Sequence, residues 1–340
     1  MTRPRTNIGI GIDGFTLALA ATVTVATLLP ARGEMAVFFD DATVFAVALL
    51  FFLHGAKLSG EAIIAGASHW RLHLTVVAAT FLLFPLLGFV LKPLLSPLVT
   101  PELYLGVLFL CALPATVQSA IAFTAIARGN VPAAICSASA SSFIGIFLTP
   151  LLAGILMGAQ MRPGGGDILH AIGKIMVQLL LPFVAGQAAR RGIGRWVDRH
   201  KGMLRLVDQG SILLVVYVAF GAAVLQGLWH QVPLHSLAGL LLVNAVLLTL
   251  VLLSTRYAAR LQGFDRADEI TTVFCGSKKS LASGVPMAKV LFAGHAVGLI
   301  VLPLMLFHQM QLMVCAVLAR RYAAGYSLRP PSTSSTRPLK

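Results

Sequence analysis

Phe274-Cys275-Gly276-Ser277-Lys278-Lys279-Ser280-Leu281-Ala282-Ser283-Gly284 is the stretch on which the reading of this chain turns. It lies inside an apolar segment, opening near Ile270, with the length and composition of a membrane span. Two adjacent lysines are costly there, since one lysine near the centre of an inserted helix costs roughly 2.5–3.5 kcal/mol on insertion scales. Counted from residue 270, Lys279 stands about 14 Å into the segment at about 1.5 Å per residue. That is near the middle of a hydrocarbon core about 30 Å thick. The competing reading has both ammonium groups snorkelling to the membrane surface, and the depth argues against it. Glycine weakens a helix, and serine hydroxyls satisfy backbone groups that a break sets free. The stretch therefore predicts a discontinuous helix lining a polar cavity.

Composition supports a polytopic membrane protein. Of 340 residues, 57% are hydrophobic and 11% charged, and mean hydropathy is +0.86; soluble proteins carry about 25% charged residues. The net charge of +14, from 26 basic and 12 acidic residues, would suit a nucleic-acid partner. The basic residues fall in short loops between apolar runs, so membrane topology accounts for them and no nucleic acid is expected. Cys111, Cys136, Cys275 and Cys315 all lie in apolar stretches and form no C-x-x-C pair. They read as small buried thiols, with no metal site, cofactor or disulfide framework.

In order, a basic cytoplasmic arm (1–13) precedes a first span at Gly14–Ala31, which is preferred over a signal peptide because no small-x-small cleavage site follows. Spans two and three follow at Ala42–Leu58 and Leu72–Leu91. Span four, Leu103–Ala127, is interrupted by Pro114-Ala115-Thr116-Val117-Gln118-Ser119, and span five runs to Met157. The linker Arg162-Pro163-Gly164-Gly165-Gly166-Asp167 cannot sustain a helix. Span six, Ile168–Arg190, leads into a basic loop carrying Arg190, Arg191, Arg195, Arg199, Lys201 and Arg205. Gln209–Thr255 holds no formal charge and is divided by Gly227, His230 and Pro233 into spans seven and eight. Spans nine and ten are Ile270–Ala293 and Ala296–Ala319, and a Pro/Ser/Arg-rich tail (320–340) is expected to be disordered.

The fold class this predicts is an all-α membrane protein of ten transmembrane helices. It is a 5+5 inverted repeat, with the first repeat at 14–161, a periplasmic linker at 162–167 and the second repeat at 168–319. With both termini cytoplasmic, 19 of the 26 Lys/Arg fall on the inner side and only Arg32, Lys92, Arg162 and Lys289 on the outer, as the positive-inside rule requires. Helices four and nine, the fourth of each half, are the broken ones. Interrupted spans at matching positions point to the binding site of an inverted-repeat transporter.

The residues Phe51-Phe52-Leu53-His54-Gly55 with Lys57-Leu58, Pro114–Ser119 with Ala127-Arg128-Gly129-Asn130-Val131, and Cys275-Gly276-Ser277-Lys278-Lys279-Ser280 together resemble the bile acid:sodium symporter superfamily, in its SBF-like branch. The resemblance spans residues 10–320. It implies ten helices divided into a panel and a core domain, helices four and nine crossing at their breaks, and sodium-coupled uptake of organic anions. The sequence departs from that pattern at the cation site. Characterised members carry Glu-Val-Gly-Met-Gln-Asn in helix nine. Here the carboxylate position is Phe274 and the Gln-Asn pair is Lys278-Lys279, while the helix-five oxygen ligands fall on Ala134 and Ala138. Sodium needs an oxygen cage in place of its hydration shell, so the resemblance does not carry sodium coupling with it.

The expected substrate-binding residues are Thr116, Gln118, Ser119, Ser277, Lys278, Lys279 and Ser280. Lys278 or Lys279 places an ammonium where relatives bind sodium, attracting a small organic anion or preorganising the broken helices. Adjacent helical residues point about 100° apart, so one lysine suffices for the cavity and the other can bond helix-end carbonyls. Proton and sodium coupling remain alternatives. Ser137, Ser139, Ser141 and Ser142 form a small-residue face suited to close packing. Lys57 and Glu61 form an i,i+4 pair, and Lys174 shares a face with Gln178. Asp268 and Glu269 suit a helix start. His308 with Gln309 and Gln311 reads as a packed histidine in preference to a proton relay. No G-x-S-x-G, H-E-x-x-H or paired intramembrane aspartates suggest an enzyme. The expected function is secondary active transport in the cell inner membrane, with a non-transporting regulator of ion homeostasis as the alternative.

Overall fold

The structure is a computed structural model, and it describes residues 14–57, 69–158, 168–225, 227, 232–292 and 295–327. Among these residues every long regular element is a helix and there is no strand: α1 (Gly14–Leu28), α2 (Glu34–Lys57), α3 (Trp70–Val90), α4 (Pro101–Ala112), α5 (Gln118–Ile126), α6 (Val131–Met157), α7 (Ile168–Arg199), α8 (Lys201–Leu225), α9 (Leu234–Leu261), α10 (Arg266–Gly276), α11 (Leu281–Leu291) and α12 (Val297–Ser327). Six of them, α2, α3, α6, α8, α9 and α12, are long and apolar enough to cross a membrane, while α1 and α4 are shorter but apolar.

Several boundaries differ from those expected. Helix α2 starts at Glu34 instead of Ala42, because an acidic first turn suits a helix N-terminus and the helix need not stop where its apolar face does. The expected basic loop at 190–205 is the end of α7 and the start of α8, separated at His200. Arginine and lysine are good helix formers, and hydropathy marks where a span leaves the membrane without marking where its helix ends. Helix α12 likewise continues through Ser327, so residues 320–327 are helical where a disordered tail was expected. Glu61, His230, the 162–167 linker and the side chains of Lys174 and Gln178 lie outside the described residues.

Helices α1, α2, α7 and α8 pack together, and α3, α4, α5, α6, α9, α10 and α12 form a second group; α8 touches both α11 and α12. The α2–α7 crossing depends on glycine. A Cβ at Gly186 would stand 1.9 Å from the Phe52 carbonyl oxygen, and one at Gly55 would stand 2.0 Å from that of Phe183. No side chain fits between those backbones. A continuous apolar core, including Phe51, Phe84, Phe109, Phe220, Phe292 and Phe307, runs between the two groups. All four cysteines are buried, as expected.

Candidate functional site

The site is built where two helices stop. Pro114 has no N–H to offer the Leu110 carbonyl, which takes the Leu113 N–H at 3.3 Å, and α4 ends in that tighter turn. Chain direction resumes as α5 at Gln118. On the other side, α10 ends at Gly276 and α11 begins after Ser280, whose hydroxyl accepts the Ser283 N–H at 3.2 Å as an N-cap. The breaks meet directly, since the Ser280 N–H donates to the Pro114 carbonyl at 2.9 Å.

A broken helix in an apolar interior must find partners for its orphaned backbone groups. Ser141 Oγ accepts the Ala115 N–H at 3.0 Å, and Thr149 Oγ1 donates to the Ala112 carbonyl at 2.9 Å. The side-chain amide of Gln311 matches the Lys279 peptide on both sides, its Oε1 accepting the N–H and its Nε2 donating to the carbonyl, each at 2.9 Å.

Lys279 is fully buried, and its Nζ donates to the carbonyls of Thr80 (2.8 Å), Cys111 (2.9 Å) and Leu113 (2.7 Å), 4.1 Å from the centre of the Phe84 ring. Cys111 and Leu113 are orphans of the α4 break. The Thr80 carbonyl is freed by a π-turn in α3 at Ala79–Leu83, where the Phe84 N–H bonds back to Ala79. The next donor that Thr80 could use belongs to Pro85, which has none. One ammonium thus satisfies three carbonyls from two elements. Lys278 is also fully buried; its Nζ donates to the Ser119 carbonyl at 2.9 Å and lies 3.8 Å from the centre of the Phe123 ring and 5.5 Å from that of Phe274. Aromatic faces attract a cation, so Phe274, standing at the carboxylate position of the resemblance, still faces a positive charge.

Beside the crossing lies a cavity of about 340 Å³. Thr116, Gln118 and Ser119 line it from one break and Ser280 and Ser283 from the other; Ser139 and Ser142 of α6 and His308 of α12 add polar atoms. Phe15, Phe51, Phe143 and Phe183 give it apolar walls, and His54, Lys57, Arg205 and Asp208 form a charged side. Of the residues expected to bind substrate, Thr116, Gln118, Ser119 and Ser280 line the cavity. Ser277, Lys278 and Lys279 lie behind it, and the Ser277 hydroxyl is turned back to the Val273 carbonyl at 2.6 Å. The four serines of α6 divide: Ser139 and Ser142 face the cavity, while Ser141 caps the break and Ser137 Oγ lies 2.6 Å from His73 Nδ1.

One further contact, that of Lys57, differs from the sequence expectation, while Asp268 and Glu269 stand in the first turn of α10 as expected. Lys57 pairs with Asp208, 151 residues away. The N-cap of α10 is Asp265, whose Oδ1 accepts the Asp268 N–H at 2.8 Å, and Asp268 instead accepts from Asn130 Nδ2 at 2.8 Å. Glu269 accepts from Arg256 and Arg260, each at 3.2 Å. His308 Nδ1 stands 2.8 Å from Gln311 Nε2, which ties this histidine to the crossing. Sequence reasoning missed Asp208 as a site residue. Its one signal was position, as the last charge before the uncharged run that starts at Gln209.

The sequence model of the SBF-like CPA transporter family matches residues 13–324 of this chain. An uncharacterized protein of Pseudomonas aeruginosa is 67% identical over 323 residues, covering 95% of both chains. A protein of Escherichia coli (strain K12) named "Putative symporter YfeH" is 58% identical over 312 residues, 92% of this chain and 93% of its own. A rat (Rattus norvegicus) protein named "Sodium/bile acid cotransporter 7" is 30% identical over 296 residues, 86% of each.

Proposed function

We propose, from the premise that this chain belongs to the SBF-like CPA transporter family, that it is a secondary active transporter. In this reading it carries a small organic anion across the cell inner membrane by alternating access. Ten membrane helices in two inverted sets of five fit the chain when α4 with α5 and α10 with α11 are taken as the broken helices four and nine. Both termini are then cytoplasmic.

The observation that carries the proposal is the crossing. Two interrupted helices meet at the Ser280–Pro114 hydrogen bond, and residues from both breaks line a single cavity. Half-helix termini facing a shared cavity are how inverted-repeat transporters hold a solute. Thr116, Gln118, Ser119 and Ser280 contact the substrate in this reading, and Ser277, Lys278 and Lys279 hold the crossing from behind.

The sodium and bile acid in a relative's name belong to that relative. Here Lys278 and Lys279 bring fixed ammonium groups to the crossing, where they satisfy backbone carbonyls. A bound cation would do the same work at each turn of a sodium-driven cycle. Transport in this reading needs no sodium.

The test is Gln118→Cys in reconstituted protein, labelled with a membrane-impermeant maleimide from each face. Uptake of a panel of radiolabelled organic anions is measured alongside, with and without sodium. We expect labelling from both faces and sodium-independent uptake of at least one anion. Labelling from one face under every condition would refute alternating access and favour a non-transporting regulator.

A further inference from the structure

Lys278 and Lys279 spend their protons on backbone carbonyls behind the cavity. A transporter without a sodium cage needs its coupling ion elsewhere, and the charged side of the cavity offers a site. Asp208 of α8 is buried, its side chain only 10% exposed, and its Oδ2 pairs with Lys57 of α2. Its Oδ1 is buried with no hydrogen-bond partner among the described residues. A carboxylate has acceptor sites on both oxygens, and leaving one oxygen empty in a buried place is expensive. An ion pair inside a membrane protein, reached by a cavity, marks an ion or proton route more often than a structural tie.

We propose that His54, Lys57 and Asp208 form a proton-binding site whose occupancy sets which way the cavity opens; this rests on the transport reading above. A proton arriving from the cavity adds to the free Oδ1 of Asp208. That neutralises the carboxylate, breaks its ion pair with Lys57 and loosens the tie between α2 and α8. Departure of the proton restores the pair. His54, half-buried on the cavity wall one helical turn before Lys57, takes up and passes on the proton.

The charged and titratable surroundings are few. Arg205 lies on α8 itself, exposed at the cavity's charged side. From α7, Arg190 reaches the Ala56 carbonyl and Asp198. From α12, His308 lines the cavity. Helix α1 has no titratable side chain, and Lys289 of α11 is paired with Asp40 at the other end of α2.

The test follows labelling of Gln118→Cys from each face between pH 4.0 and 8.5, normalised to a surface cysteine at Gly192→Cys. We expect the ratio of outer to inner labelling to change several-fold along one titration. Asp208→Asn, which imitates the protonated carboxyl, should hold the ratio at its low-pH value at every pH. His54→Gln should shift or flatten the titration, and His308→Gln should leave it in place. A wild-type ratio independent of pH overturns the proposal, as does a wild-type titration surviving in Asp208→Asn. Should Asp208→Asn fail to fold, Lys57→Met removes the same pair while keeping the carboxylate, and must displace or abolish the titration; a titration identical to wild type overturns the proposal. Two-sided labelling without a titration refutes the proton site alone. One-sided labelling at every pH refutes the transport reading itself, and the proposal that rests on it.

Discussion

Replacing Lys279 with methionine keeps the length of the side chain and removes its ammonium, so three carbonyls lose their donor at once. A hydrogen bond to a charged group is worth about 1.5–3 kcal/mol. Against that loss stands relief from burying a charge, several kcal/mol per ion in real proteins, which is hard to fix in absolute terms. Lys278→Met is the internal control. Both ammonium groups are fully buried and both lie on an aromatic face, at 4.1 Å for Lys279 and 3.8 Å for Lys278. The relief therefore nearly cancels between the two variants, and the second ring near Lys278, Phe274 at 5.5 Å, offsets about 0.5–1 kcal/mol of their difference. What remains is two hydrogen bonds, since Lys279 makes three and Lys278 one. Two such bonds come to about 3–6 kcal/mol, and neighbouring bonds add imperfectly, so we expect Lys279→Met to be less stable than Lys278→Met by about 3 kcal/mol. The assay is thermal unfolding in detergent with a thiol-reactive fluorophore, for which the four buried cysteines are built-in reporters. A gap on the order of 5 °C or more in Tm corresponds to that difference. Equal melting, or a lower Tm for Lys278→Met, would refute the carbonyl-cage account of Lys279.

Two further outcomes follow from the charge distribution. A reporter enzyme fused after Gly166 should score as external and one fused after Lys340 as cytoplasmic; a cytoplasmic signal at Gly166 would remove the basis for the inverted repeat. Asp40 and Lys289 join α2 to α11, about 25 Å along α2 from Lys57 at about 1.5 Å per residue. Partly exposed pairs are worth about 0–1 kcal/mol, so Asp40→Asn should leave Tm unchanged while raising external labelling of Gln118→Cys, by about fivefold at most. Unchanged labelling would mean that the pair does not hold the outer side closed.

Much of the molecule could be read from local sequence. Composition fixes the membrane class, because too few charged residues are present to cover a soluble surface. Pro114 and the Gly276–Ser280 run mark both helix breaks, since proline lacks a donor and glycine and serine weaken a helix where they stand. The same locality explains where the reading failed. Hydropathy registers an arginine as the end of a span, yet Arg190–Arg199 continues the helix of α7 because helix formation and membrane burial are separate properties.

Only the tertiary structure decided what the two central lysines do. Their sequence says that they are buried and expensive, and no local pattern says which acceptors they reach. Lys279 finds its third carbonyl at Thr80, 199 positions away, and that carbonyl is free only because a π-turn and Pro85 together deny it a backbone donor. The Lys57–Asp208 pair spans 151 positions and has no counterpart in any periodicity. A side chain's own helix fixes its depth and its face; the groups opposite that face come from distant chain, and they divided this site into a cage that holds the crossing and a cavity beside it.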